Sequence, residues 1–101
     1  MFAITFDMEV SALKEYYGEP YHKAYYDIRK LLKNYGFKWT QGSVYLSRTA
    51  SMADLFDAID ALTDIDWFSL SVRDIQGFKV EDWSDFTNRA KRKAEIFRKN
   101  R

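Results

Sequence analysis

Along this chain the spacing of apolar residues switches repeatedly between two and 3.6, and the order of those switches restricts the fold more than any other feature. The chain opens on Met1-Phe-Ala-Ile-Thr-Phe-Asp7, where Phe2, Ile4 and Phe6 alternate with Ala3, Thr5 and Asp7. A period of two places the first set on one face of a strand and the second on the other. Pairing inside a sheet is expected for this strand, because a free terminal strand would fray. Asp7 ends it, which holds a carboxylate rigidly and close to solvent, as a site needs. An Asp at that place also serves simply to start a turn by bonding its own backbone.

Glu19-Pro20 introduces the clearest helix, with Pro at a favoured first helical position. Tyr21, Ala24, Tyr25, Ile28, Leu31, Leu32 and Tyr35 recur at helical spacing, and Gly36 stops the run. A shorter helical turn is expected from Ser11 to Tyr17. Phe37–Thr40 and Ser43–Ser47 flank Gln41-Gly42 and predict a hairpin. Ser51 is the expected cap of a second amphipathic helix, with Met52, Leu55, Phe56, Ile59 and Leu62 as its buried stripe. Asp54, Asp57, Asp60 and Asp64 line the other side, either as a solvated face or as a docking face for a basic partner. Ser71–Val80 reads as a fourth strand of imperfect alternation, with Gly77 as the expected bulge. Ser84 is expected to cap a last helix carrying a narrow apolar line of Phe86, Ala90, Ala94 and Phe97.

The resulting order, β-α-β-β-α-β plus a C-terminal helix, predicts an α+β ferredoxin-like domain over residues 1–86. It has one antiparallel sheet with two helices on one face, and residues 87–101 form a basic helical extension. The fold by itself implies no function. A chain of 101 residues has room for one domain, and 47% hydrophobic with 18% aromatic residues excludes a disordered polymer. There is no cysteine, hence neither disulfide nor thiol chemistry, and no run suggests export or a membrane span. A soluble cytoplasmic protein is expected. The net charge of +1 is unevenly spread: Arg89, Lys91, Arg92, Lys93, Arg98, Lys99 and Arg101 face Glu95 alone in the last fifteen residues. Such a tail can follow a nucleic-acid backbone, or end a solvated helix, or dock on acidic protein surface.

Five blocks together resemble the virulence-associated protein D (VapD) family: Met1–Asp7, Gly18-Glu-Pro-Tyr21, Trp39-Thr-Gln-Gly-Ser-Val-Tyr45, Ser71-Val-Arg-Asp-Ile75 and Phe78-Lys-Val-Glu-Asp-Trp-Ser-Asp-Phe86. They occur in one order and cover the chain up to the basic stretch beginning at Arg89. That family is similar in fold to the small dimeric nucleases of the CRISPR adaptation machinery. The resemblance implies a homodimeric endoribonuclease acting on single-stranded RNA or mRNA, as the toxin of a toxin–antitoxin pair with an antitoxin protein as partner. It also implies functional weight on Asp7, Ser43, Asp74 and Leu13.

Topology supplies a test of that chemistry. The first strand should lie between the third and fourth and run antiparallel to the fourth, which brings Asp7 beside Asp74. Two neighbouring carboxylates favour one proton shared between them, giving a base and an acid. The RNA 2′-hydroxyl is the nucleophile, so no Ser or Cys is needed. Alternatively, Asp7 and Asp74 hold a magnesium ion on the phosphate. Ser43 begins a third strand taken to run parallel to the first, which places it roughly 17 Å away at the opposite end. It then acts from a second subunit or shapes the hairpin. Arg73 and Lys79 are the phosphate-binding candidates, with cross-strand ion pairing as the equal alternative. Tyr45 and Trp39 are candidates to stack on bases, with core packing favoured for both. His22, the one histidine, is expected at the surface. The competing function is a non-catalytic dimeric module that docks a partner protein or nucleic acid through the acidic helix and the basic tail.

Overall fold

The computed structural model describes all 101 residues. Strand β1 (Phe2–Met8) leads into helix α1 (Val10–Tyr16) and helix α2 (His22–Asn34). The hairpin β2 (Lys38–Gln41) and β3 (Val44–Ser47) follows, then α3 (Met52–Thr63), α4 (Asp66–Ser71), β4 (Val72–Lys79) and α5 (Thr87–Lys99). The sheet order is β2-β3-β1-β4, and every neighbouring pair is antiparallel. This is the expected α+β ferredoxin-like sheet with helices on one face. The expected parallel pairing of the first and third strands is wrong. A hairpin reverses the chain between β2 and β3, so β3 runs against β1, with Phe2 opposite Ser47 and Thr5 opposite Val44.

Phe6, Ile4 and Met8 turn to the helical face and join Leu13, Ile28, Leu32, Tyr45, Leu62 and Phe68 in the core. The phenyl ring of Phe6 stacks on Tyr45 at 5.7 Å and meets Phe68 edge-on at 5.7 Å. Ala3, Thr5 and Asp7 take the other face, together with their cross-strand partners Leu46, Val44, Phe78, Gln76 and Asp74.

Several element ends differ from expectation. Pro20 lies before α2 rather than in it, and Tyr21 occupies the N-cap position. Gly36 ends α2 with a φ of +86°, a backbone setting that glycine adopts without the steric cost a Cβ brings. The amide of Phe37 reaches the Leu32 carbonyl at 3.0 Å and the Gly36 amide reaches Lys33 at 3.0 Å, the paired bonds of a Schellman end. Ser51 caps α3 as expected. Its hydroxyl accepts from the Asp54 amide, and the Asp54 carboxylate accepts from the Ser51 amide. The buried stripe of α3 is Leu55, Ala58 and Leu62, whereas Met52 and Phe56 are exposed. The extra helix α4 was not foreseen. It is only six residues long, too short to declare a helical period, and it drops Phe68 into the core.

The bulge of β4 lies at Arg73, not Gly77. Asp7 pairs with Asp74 and Met8 with Val72, which leaves Arg73 as the additional residue. That insertion explains the imperfect alternation, because Val72 and Ile75 reach the same face only if one residue is skipped. Gly77 pairs regularly with Ile4 and is bare for another reason. A Cβ there would stand 2.8 Å from Ile59 Cδ1 and 3.1 Å from Leu55 Cδ1, so α3 sits almost directly on the strand backbone. Ser84 does not cap α5. The Asp85 carboxylate accepts from the Thr87 amide at 2.9 Å, and no α5 residue is buried.

Candidate active site

The site forms where β1 ends and β4 begins. Asp7 and Asp74 are direct cross-strand partners on the face of the sheet that bears no helix. Residues so opposed have Cβ atoms about 5 Å apart. The bulge sets Arg73 beside this pair, and its Nη1 stands 3.6 Å from Asp7 Oδ2. Its Nη2 pairs with the Glu9 carboxylate, and the Glu9 amide donates to the Ser71 carbonyl at 2.7 Å. Arg73 is therefore shared between Glu9 and Asp7 and remains 60% exposed, while Asp7 is 64% exposed. On the far side of Asp74, the Gln76 amide nitrogen donates to both carboxylate oxygens, at 3.2 and 3.5 Å.

Electrostatics follow from these contacts. The hydrogen bond from Arg73, together with its charge, holds the Glu9 carboxyl below the ordinary carboxylate value. The same bond and the charges of Glu9 and Asp7 keep the Arg73 guanidinium more firmly protonated. Burial, aided by Tyr21 and the negative charge of Asp7, raises the Tyr25 phenol.

The remaining candidates fall in different places. Ser43 lies at the Asp7 end of the sheet, contrary to the opposite-end expectation, because β3 is antiparallel to β1. Its carbonyl accepts from the Phe6 amide at 3.4 Å, one residue from Asp7. Lys79 does not neighbour the site. It opposes Phe2, five positions from Asp74 along β4, and approaches Glu81 at 3.9 Å. Five residues of strand span about 17 Å. Leu13 is completely buried in the core. It can support the rim through packing but has no surface to offer a substrate. Tyr45 is 1% exposed, so its ring packs in the core and is not free to stack on a base. Trp39 is half open, yet its face is covered by the Arg29 guanidinium at 4.0 Å and its indole donates to the Gly42 carbonyl at 2.7 Å. His22 is exposed and stacked on Tyr21.

Glu9 and Gln76 were missed from sequence. The only available signal for Glu9 was a carboxylate two positions beyond Asp7, and its importance depends on a bulge that spacing alone does not reveal. No group of three or more His, Cys, Asp or Glu residues is gathered as a metal site. Asp7 and Asp74 are two carboxylates, the number magnesium commonly takes from protein alongside water and phosphate.

The family model described as CRISPR associated protein Cas2 matches residues 1–87. Endoribonuclease VapD of Dichelobacter nodosus is 61% identical over 87 residues, which cover 86% of this chain and 94% of that protein. The chain belongs to the VapD family. Endoribonuclease VapD 1 of Riemerella anatipestifer is 55% identical over 87 residues, 86% of this chain and 98% of its own length. Endoribonuclease VapD of Helicobacter pylori is 54% identical over 89 residues, 86% and 95% of the two chains. The Cas2 model match takes in every side chain of the rim, including Asp7, Ser43 and Asp74, and it stops where α5 starts. The matched stretch contains the carboxylate pair, and almost all of α5 lies beyond it.

Proposed function

We propose that this chain is an endoribonuclease that cuts single-stranded RNA, mRNA included, with Asp7 and Asp74 as its catalytic pair. The observation that carries the reading is the direct opposition of these two carboxylates on an open rim, with a bulged arginine beside them. Relatives bearing the name Endoribonuclease VapD support the reaction class. One carboxylate takes the proton of the ribose 2′-hydroxyl as that oxygen attacks the adjacent phosphorus. The departing 5′-oxygen takes up a proton on the side of the partner carboxylate, leaving a 2′,3′-cyclic phosphate and a 5′-hydroxyl. Arg73 has donors to spare beyond Glu9 and turns them to the phosphate, where charge grows during attack. Ser43 anchors the hairpin beside Asp7 through its carbonyl. Where magnesium takes part, Asp7 and Asp74 would hold it, and it would offset phosphate charge.

The same proposal includes a homodimer acting in the cytoplasm as an mRNA-cutting toxin held in check by an antitoxin protein. The family resemblance supports it, and no helix of the chain is long and apolar enough to cross a membrane. The decisive experiment compares wild type with Asp7→Asn on an unstructured RNA, both purified identically. Loss of cutting by at least about a hundredfold is expected when a catalytic base is removed. Equal cutting by the two proteins would rule out the assignment and point to a contaminating nuclease.

A further inference from the structure

Helix α5 buries none of its surface fully against its own chain. None of its residues is buried, and Phe86 and Phe97 are 66% and 65% exposed. At helical spacing Phe86, Ala90, Ala94 and Phe97 form one ridge, large at both ends and small in the middle. Basic side chains flank that ridge, and the helix carries six of them, Arg89 to Lys99, against Glu95. The one ion pair α5 makes is internal, Arg98 to Glu95.

Helix α3 presents the complementary surface. Phe56 is 61% exposed and Met52 52% exposed, side by side on its outer face. Asp57, Asp60 and the C-terminal Asp64 run along the adjoining arc, and none of them has an ion-pair partner. Both ridges match in length, since Met52–Thr63 and Phe86–Phe97 each span eleven steps, or about 16 Å of helix. Within one chain they are held apart. α3 presses on Gly77 of β4, at one edge of the sheet, whereas Phe86, Thr87 and Ala90 lie beside Thr40 and Gln41 at the β2 edge.

We propose that α5 docks on α3 of a second copy of this chain, with Phe56 and Met52 seated over Ala90 and Ala94 and the aspartates facing the basic flanks. Phosphate binding alone would leave the Phe86–Phe97 ridge exposed, which is why a second copy fits better than RNA. The ridge is also narrow, with two alanines at its centre, which suits close approach of a helix rather than burial in lipid. Reciprocal exchange of two such helices closes a two-fold dimer. The contact requires self-association but no ribonuclease activity, so it and the catalytic reading fail independently.

The absence of native cysteine permits a direct test on the full chain. Phe56→Cys protein is mixed with Ala94→Cys protein under mild oxidation, with Lys30→Cys, on the exposed face of α2, as the control partner. A mixed disulfide between the first two, well above the control, is expected, with both variants keeping wild-type circular dichroism. Asp57→Lys with Asp60→Lys should lower that yield about tenfold, and Lys91→Glu with Lys93→Glu should restore part of it, as charge-matched interfaces do. Yield no greater than the control, or insensitive to the charge reversal, would overturn the proposal. So would Phe86→Ser with Phe97→Ser, added to the Ala94→Cys protein, losing affinity for RNA or for phosphatidylserine vesicles while the mixed-disulfide yield with Phe56→Cys stays unchanged.

Discussion

Arg73 is the residue whose position changes the meaning of its neighbours. In a regular strand it would alternate away from Asp74, but the bulge returns it to the rim, where Glu9 and Asp7 share it. Removing it should therefore affect chemistry more than folding. Arg73→Ala is expected to lower RNA cleavage markedly while the melting temperature moves little, since solvent screens an exposed ion pair and leaves it a small part in stability. The sign of the pH effect follows from Glu9, whose folded carboxyl is held below its ordinary value of 4.5 by the Arg73 hydrogen bond. The pair is intact above that value and is lost as pH falls through the lowered folded one. In Arg73→Ala, the Glu9 midpoint followed by carboxyl-carbon NMR should move upward; an unmoved midpoint would show that the two side chains do not pair in solution. Ser71 offers a separate case. Its hydroxyl is buried with no hydrogen-bond partner, so Ser71→Ala should raise stability by about 1 kcal/mol, read from urea unfolding.

At the scale of elements, the contact of α3 with β4 decides how tightly the helical layer closes. Gly77 lets Ile59 and Leu55 approach the strand to within what a methyl group would occupy. Gly77→Val forces those side chains outward and should cost about 1–3 kcal/mol, measured as a fall in the urea midpoint without change in slope. Most elements were legible in sequence because local chemistry sets them: Ser51 with Asp54 caps α3, Gly36 ends α2, and Gly42 turns the hairpin, although its partner in the turn is Ser43, since Gln41 still belongs to β2. The exceptions are those that neighbours decide. Phe56 follows helical spacing yet stays outside, because the stripe that meets the sheet runs through Ala58 instead. Tyr45 is a strand aromatic that could face either way, and stacking on Phe6 draws it inward.

The whole molecule is longer than one compact domain of its size. Its radius of gyration is 16.7 Å and its extents are 52 × 34 × 19 Å. A packed chain of this length has a radius near 13 Å, and the projecting α5, about 20 Å long, accounts for the excess. Deleting residues 87–101 should therefore change the unfolding free energy of the isolated domain by less than about 0.5 kcal/mol, because no buried residue is lost. Chemical denaturation at high dilution, where copies are apart, checks this. A larger loss would mean that α5 packs on its own domain in solution.

Periodicity and turn chemistry act between near neighbours, so the alternating opening, the capped helices and the hairpin follow from the order of residues alone. The same holds for the adjacency of Asp7 and Asp74, which a split β-α-β order implies. Three features arise between segments distant in the chain: the antiparallel course of β3, which brings Ser43 to the Asp7 end, the bulge that brings Arg73 to Glu9, and the separation of α5 from α3. Hydrogen-bond register and packing set each of these, and neither is written in the spacing of any single segment.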